Sequence, residues 1–203
     1  MKTVETWFLW LMIYSIIGWV YESTICSISQ RKLINRGFLN GPYCPIYGTG
    51  AVLVLLVLGR IQNPVLLFFA GAVLTCSLEY LTSWLMEKLF HARWWDYSNK
   101  KFNIQGRICL GHTFYWGIAS LLFLYLVHPI VVYCFSQLLD SAAIAIFACV
   151  LAVFLVDLVF AVYRALDVRK VMDKIKGFSD TLSNFAETVK NGVSDKVPSL
   201  DET

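Results

Sequence analysis

Five long apolar runs dominate the chain, and none of them contains a charged side chain. The runs free of Asp, Glu, Lys and Arg cover residues 6–21, 37–59, 61–78, 108–139 and 141–156. Because a helix needs about 20 largely apolar residues to cross the hydrocarbon core of a bilayer, the pattern predicts transmembrane helices. We place five of them, near residues 7–28, 44–59, 64–86, 110–134 and 142–163. The predicted fold is an all-α integral membrane protein whose transmembrane domain covers residues 1–163.

Prolines mark two places where a predicted span departs from a regular helix. Pro42 and Pro45 precede the short second span, and a proline has no backbone N–H to donate. The fourth run is longer than one span needs, and we expect His128-Pro129 to kink or end its helix.

The segment 164–190 follows a different pattern, in which apolar residues recur in steps of three and four. The positions are Val168, Val171, Ile175, Phe178, Leu182, Phe185 and Val189. This spacing predicts an amphipathic, heptad-patterned helix that lies on the cytoplasmic leaflet or forms a short coiled coil with a second copy or a partner. Gly177 weakens the helix and favours the first interpretation. Residues 191–203 are polar, and we expect them to be disordered.

The composition agrees with a membrane protein and argues against several other classes. Hydrophobic residues make up 58% of the chain and charged residues 15%, whereas soluble domains carry about 25% charged residues. The net charge of +3 is too small to indicate a nucleic-acid partner. Six cysteines without a CxxC pair argue against a disulfide framework or a zinc ribbon. We predict no metal and no cofactor.

The positive charges lie almost entirely on one side of the predicted topology. Five spans place residues 29–43, residues 87–109 and the tail after 163 on the same side, with thirteen Lys and Arg near the membrane. Lys2 and Arg60 fall on the other side. By the positive-inside rule, the C-terminus is cytoplasmic and the N-terminus is outside. The sequence thus predicts a multi-pass protein of the cell membrane, in contact with the lipid bilayer.

Several ionisable or hydrogen-bonding side chains lie at membrane depth. A charge at the bilayer centre costs about 2.5–3.5 kcal/mol on insertion scales, so such residues usually face the bundle interior and mark a site or pathway. The third span carries a polar stripe at strict i, i+4 spacing, formed by Thr75, Glu79, Ser83 and Glu87. Glu22 in the first span, His112 in the fourth and Asp157 in the fifth are further candidates. The alternative role for each is an internal pair that serves only helix packing.

Two segments between spans are rich in side chains that form hydrogen bonds. Segment 35–48 combines turn-forming residues with tyrosines, and irregular backbone near a membrane is tolerated where it lines a cavity or is buried in protein. Segment 91–107 holds two tryptophans beside an aspartate, with arginines on both sides, which indicates a folded polar element. The predicted topology places both segments on the cytoplasmic half, with Glu22 and Glu79. We therefore predict a polar site that opens toward the cytoplasm.

The same segments carry a resemblance to a known family. The motifs are GWVYES, NRGFLNGPYCPIYGTG, LEYLTSWLMEKLF, RWWDYS and FNIQGRICL. They are similar to the ABC-transporter permease family of the CmpB type, over residues 7–120. The resemblance implies a polytopic protein of the bacterial inner membrane that acts as a transporter component. The matching polar positions are Glu22, Asn35, Arg36, Asn40, Tyr43, Tyr47, Glu79, Glu87, Trp95, Asp96, Tyr97, Asn103 and Arg107.

Three classes of function are compatible with these features, and a transporter component with a site for a small solute is favoured. The chain has no GxxxxGK[ST] motif, so ATP hydrolysis would need a separate ATPase subunit, and the small size favours a homo-oligomer. An intramembrane enzyme acting on a lipid head group or small metabolite is the second class, although no HExxH or GxSxG motif supports it. A non-catalytic membrane scaffold or sensor is the third.

No catalytic residue is predicted, and the candidate site is one for ligand binding or for a transport pathway. Its residues are Glu22, Asn40, Tyr43, Tyr47, Glu79, Glu87, Trp95, Asp96, Tyr97, Asn103 and Arg107.

Overall fold

The computed structural model describes residues 4–136 and 140–194. The elements are helices α1 (Val4–Gln30), α2 (Pro45–Leu58) and α3 (Pro64–Phe90), strands β1 (Asn103–Ile104) and β2 (Ile108–Cys109), helix α4 (Leu110–Leu122), a π-helical turn (Phe123–Val127), and helices α5 (His128–Ser136) and α6 (Asp140–Ser194). The chain divides into two compact units, residues 1–161 and residues 162–203.

Within residues 4–136 and 140–194, four helical stretches are long and apolar enough to cross a membrane, and a fifth, α2, is apolar but shorter. The four long ones are Val4–Gln30, Pro64–Phe90, Leu110–Phe135 and Ile144–Leu166. The all-α membrane class, with about five apolar helices, is therefore confirmed. α1, α3 and α6 extend past the predicted spans because polar residues continue the helix beyond the apolar core, whereas α2 stays within its predicted span.

The fourth apolar run continues past the predicted kink at His128-Pro129. The backbone N–H of His128 donates to the carbonyl of Phe123, five residues earlier, so one wide turn precedes the proline. This turn accommodates Pro129, which has no N–H of its own. The helix then resumes as α5 in the same apolar stretch.

Small residues let α1 and α2 approach each other closely. A Cβ atom added at Gly48 of α2 would lie 2.1 Å from the carbonyl oxygen of Leu11 and 2.2 Å from Oγ of Ser15, both in α1. Small residues at helix contacts are typical of membrane bundles, where van der Waals packing replaces the hydrophobic effect. A separate cluster joins Met12 of α1 to Ala161 of α6.

The segment between α1 and α2 is fastened to α1 by hydrogen bonds. The backbone N–H of Arg36 donates to Ser23 at 3.2 Å, and that of Cys44 donates to the carbonyl of Ser15 at 2.9 Å. The Trp19 indole donates to the Asn35 side chain at 2.6 Å. Segment 31–44 is thus folded against the helix it follows.

The second unit, residues 162–203, contains the C-terminal part of α6. The apolar positions of the predicted seam whose side chains are described are exposed by 52–67%, and they are Ile175, Phe178, Leu182 and Phe185. The helix reaches Ser194, so it enters the segment 191–203 that we expect to be disordered, and residues 195–203 lie outside the described part of the chain.

Candidate functional site

The polar stripe of α3 lies inside the protein. Thr75, Glu79 and Ser83 are each no more than 8% exposed, and the i, i+4 spacing places them on one face of the helix. Glu79 is 5% exposed and lies in Pro64–Phe90, one of the stretches long enough to cross a membrane. A buried acid at this depth needs partners for its oxygens.

Both oxygens of Glu79 accept hydrogen bonds from uncharged groups. The Tyr97 hydroxyl donates to Oε1 at 3.0 Å, and the Trp116 indole N–H donates to Oε2 at 2.9 Å. Within the described residues, no lysine, arginine or histidine forms an ion pair with this carboxylate. In the described part of the chain, Glu79 is therefore hydrogen-bonded but has no cationic partner.

The nearby arginines pair with another acid. Arg107 Nη2 lies 2.6 Å from Glu87 Oε2, and Arg93 Nε lies 3.1 Å from Glu87 Oε1. Arg107 also donates to Oγ of Ser83 at 3.3 Å and is itself 7% exposed. This network joins the end of α3 to the β1–β2 hairpin and leaves Glu79 outside it.

The hairpin positions Tyr97 for its contact with Glu79. The backbone N–H of Tyr97 donates to the carbonyl of Gly106 at 2.7 Å. Gly106 has φ +69°, and a Cβ there would lie 2.4 Å from Ser98 Oγ and 2.5 Å from Asp96 Oδ1. Only glycine allows this approach. The Ser98 hydroxyl and amide donate to Asp96 and hold the pKa of that carboxyl below its usual value.

The Tyr97 ring is enclosed by other side chains. It stacks on the His112 imidazole, with ring centroids 4.3 Å apart and planes at 32°. Burial raises the pKa of the Tyr97 phenol, and the negative charge of Glu79 raises it further. The phenol is therefore a neutral hydrogen-bond donor at physiological pH.

Glu22 of α1 is linked to Glu79 through aromatic side chains. It forms an ion pair with Arg36 at 3.5 Å and interacts with the Tyr47 phenol. The Tyr47 ring lies 5.6 Å from the ring of Trp116, which donates to Glu79. Aromatic side chains thus connect the two carboxylates, one of which has a cation and one of which does not.

A second polar cluster forms around Asp157 of α6. Its carboxylate accepts from the backbone N–H groups of Asn40 and Gly41, from the Asn40 side-chain amide at 2.6 Å and from the Tyr43 hydroxyl at 2.7 Å. Burial, with Asp157 adding to it, raises the pKa of Tyr43. This cluster fastens segment 31–44 to α6.

The predicted site residues therefore fall into three groups. Those around Glu79 and its hairpin are Tyr97, Glu87, Trp95, Asp96, Asn103 and Arg107; Glu22 and Tyr47 are adjacent; Asn40 and Tyr43 belong to the Asp157 cluster. The Trp95 indole donates to the carbonyl of Arg107 at 3.1 Å, and the Asn103 amide donates to the carbonyls of Ser98 and Lys100. These two residues shape the hairpin and do not contact Glu79.

Sequence reasoning missed Trp116, which contacts Glu79 directly. It lies in the charge-free run 108–139, where an aromatic residue that faces lipid gives the same pattern as one that faces the interior. Ser83, which receives a hydrogen bond from Arg107, was visible in the polar stripe but was not included in the site.

Within the described residues, no group of three or more His, Cys, Asp or Glu is arranged to hold a metal ion. His112 Nδ1 lies 3.2 Å from the Cys109 sulfur, which is a pair and not a ligand set.

A known protein family matches this chain. The family described as "Putative ABC-transporter type IV", ABC_trans_CmpB, matches residues 9–162. The chain belongs to this family. The CmpB match includes Glu22, Glu79 and Asp157 and ends where the second compact unit begins. The predicted resemblance is thus confirmed, and the chain is an ABC-transporter-related membrane protein by family. No curated protein and no solved structure matches it.

Proposed function

We propose that this protein is the membrane-embedded component of a transporter, and that Glu79 binds its cargo solute or a coupling proton. The observation that carries the proposal is the pairing of acids and arginines. Glu87 holds Arg93 and Arg107, and Glu22 holds Arg36, whereas the more deeply buried Glu79 receives hydrogen bonds from a phenol and an indole.

The cost of a buried charge supports this assignment. An uncompensated charge at the bilayer centre costs about 2.5–3.5 kcal/mol on insertion scales. Neutral donors solvate the Glu79 carboxylate but do not neutralise it, so the site favours a proton or a positively charged group of a solute.

The direction of access and the partners are parts of the same proposal. Glu79, the hairpin and segment 31–44 belong to the side that the charge bias assigns to the cytoplasm, and a small solute would enter from there. Because the chain has no P-loop motif, an ATPase subunit would dock on these cytoplasmic segments. Two or more copies would be needed to enclose a complete pathway.

Replacing Glu79 by glutamine tests the proposal without disrupting the hydrogen bonds. An indole N–H can only donate, so the amide oxygen would face Trp116, and the amide N–H2 would face Tyr97, whose hydroxyl can accept. We expect Glu79→Gln to fold with near wild-type thermal stability but to lose its solute. The measurement is mass spectrometry of small molecules and subunits that co-purify with the tagged protein in mild detergent.

Glu87→Gln is the matched control, because it makes the same chemical change at another glutamate of α3. It removes the charge that pairs with Arg107, so we expect lower thermal stability with the solute retained. Retention of the solute by Glu79→Gln at the wild-type level would contradict the proposed role of Glu79. Complete absence of a co-purified ATPase and of any solute from the wild type would argue against the transporter assignment.

A further inference from the structure

A cavity lies at the end of the helix bundle opposite to Glu79. Its volume is about 330 Å³, at the lower end of the range of roughly 300–1,000 Å³ that is usual for small-molecule sites. Leu67 of α3 lines it, and Glu79 lies twelve residues further along the same helix, about 18 Å at 1.5 Å per residue. The cavity is therefore separate from the site proposed above, and the inference drawn from it does not depend on that proposal.

The chemistry of the walls favours an anion. Arg60, in the turn between α2 and α3, and His128, next to the π-helical turn, both line the cavity. None of the described residues that line it is an aspartate or a glutamate. A guanidinium group always carries its charge and presents a planar set of donors that matches a carboxylate or phosphate.

The two tryptophans of the lining are held in place by ring contacts. Trp7 and Trp10 meet edge to face, with ring centroids 5.2 Å apart, and the Trp10 ring lies 4.9 Å from that of His128. The Tyr14 hydroxyl and Nδ1 of His128 are 2.6 Å apart. The walls are thus fixed by contacts within the protein, as expected of a preformed site.

The turn that carries Arg60 is anchored as well. The Tyr125 hydroxyl donates to the carbonyl of Gln62 at 3.3 Å, which joins the α2–α3 turn to the π-helical turn. Tyr125 and Leu124 of that turn also line the cavity. A π-helical turn inside a helix is uncommon and frequently accompanies a functional site. Here it supplies one wall.

We propose that this cavity binds a small organic anion with a flat apolar group. Arg60 binds its carboxylate or phosphate, and the indoles of Trp7 and Trp10 contact its apolar part. His128 completes the wall beside the anionic group. The site is formed by α1, α2, the α2–α3 turn, α3, the π-helical turn and α5, and all of its lining residues except Trp7 belong to the family-matched part of the chain.

Equilibrium dialysis of the purified full chain against phenylacetate and its neutral analogue phenylacetamide tests the proposal. We expect saturable binding of phenylacetate, and binding of phenylacetamide that is weaker by about tenfold or more, because charge-assisted hydrogen bonds are lost. Arg60→Gln should weaken phenylacetate binding by a similar factor and leave phenylacetamide unchanged. Arg164→Gln, which removes the same charge far along α6, should bind like the wild type.

A lipid head group carries the same phosphate chemistry, so the dialysis is repeated in nanodiscs. At high salt, which screens the negative surface of an anionic bilayer, phenylacetate should bind equally in phosphatidylcholine alone and with added phosphatidylglycerol. Loss of binding under these conditions when the anionic lipid is added would assign the cavity to lipid and overturn the proposal. Equal affinity for phenylacetate and phenylacetamide, or an Arg60→Gln variant that binds like the wild type, would also overturn it. Thermal stability of each variant shows that it is folded.

Discussion

Glu22, Glu79, Glu87 and Asp157 all lie in helical stretches long enough to cross a membrane, and their partners differ. Glu22 and Glu87 have arginines, Asp157 has backbone amides and a phenol, and Glu79 has a phenol and an indole. Glu22 and Glu87 are neutralised by arginines, and Asp157 accepts hydrogen bonds from four donor groups. Glu79 has two donors, both uncharged, which is why the functional proposal concentrates on this residue.

The burial of the Tyr97 phenol predicts how the stability of the protein depends on pH in alkaline solution. Its pKa is raised in the folded protein by burial and by Glu79, so the folded state holds the proton more tightly than the unfolded chain does. Its stabilising effect is complete below pH about 10, the ordinary pKa of tyrosine, and decreases as the pH rises further. We expect Tyr97→Phe to reduce the steepness with which the melting temperature falls above that pH.

The stability of Tyr97→Phe at neutral pH is the control for this prediction. There Tyr97→Phe loses the hydrogen bond to Glu79 and should be less stable by about 1–2 kcal/mol. The difference in stability between Tyr97→Phe and the wild type should then become smaller in melting curves recorded at increasing alkaline pH. A constant difference across the whole range would show that the phenol does not titrate differently in the folded state.

At the level of residues, the spacing of polar side chains revealed the α3 stripe but not which side chains contact Glu79. The i, i+4 stripe that contains Glu79 is visible because polar residues are conspicuous in an apolar run. Trp116 and Tyr97 reach Glu79 from positions 37 and 18 residues away along the chain. Such contacts depend on how α3, α4 and the hairpin pack, and a single sequence has no local signal for that packing.

At the level of elements, the contact of α1 with α2 depends on the absence of a side chain at Gly48. We expect Gly48→Ala to lower the melting temperature, because its methyl group would clash with the backbone of Leu11, which cannot rotate away. Overpacking of this kind costs typically about 1–3 kcal/mol. Differential scanning fluorimetry in detergent measures it.

Gly177→Ala is the matched control for that substitution. Nothing lies within 4 Å of a Cβ built at Gly177, in the C-terminal part of α6. Because alanine favours helix over glycine by about 1 kcal/mol, this variant should be as stable as the wild type or more stable. Equal effects of the two substitutions would indicate that the close α1–α2 contact contributes nothing to folding.

The hydrogen bonds to Asp157 predict slow hydrogen exchange of the backbone amides in segment 31–44. Asp157→Ala removes every acceptor for the amides of Asn40 and Gly41 and for the Tyr43 hydroxyl. We expect faster hydrogen exchange of backbone amides in 35–43, while exchange in α3 stays unchanged. Tyr43→Phe removes a single one of these hydrogen bonds and should have a smaller effect. Unchanged exchange in Asp157→Ala would show that α6 does not hold this segment.

The elements themselves could be predicted to different extents. Apolar runs placed the spans because membrane insertion depends on local composition. The π-helical turn before Pro129 was expected only as a kink or an end, since the sequence does not show how the freed carbonyls are satisfied. The β1–β2 hairpin was expected only as a folded polar element, because its strands have two residues each and too few positions for any periodicity.

At the level of the whole molecule, two proposed sites lie at opposite ends of one bundle. The Glu79 end carries the arginines and lysines of segments 29–43 and 87–109, while the cavity end has Arg60. The CmpB family match covers both ends but gives no orientation. Which site faces the cytoplasm is therefore decided by the charge bias alone.

Reporter fusions test that orientation directly. The predicted topology places thirteen Lys and Arg near the membrane on the side of Glu79, against Lys2 and Arg60 on the other side. The energetic bias against translocating positively charged segments favours their retention in the cytoplasm. We expect a reporter that is active only outside the cytoplasm to be active when fused at Met1 or after Gln62, and inactive after Lys101 or Thr203. Activity of the Lys101 fusion would reverse the topology. Glu79 would then be reached from outside, an ATPase could not dock on the hairpin, and the Arg60 cavity would take cytoplasmic anions.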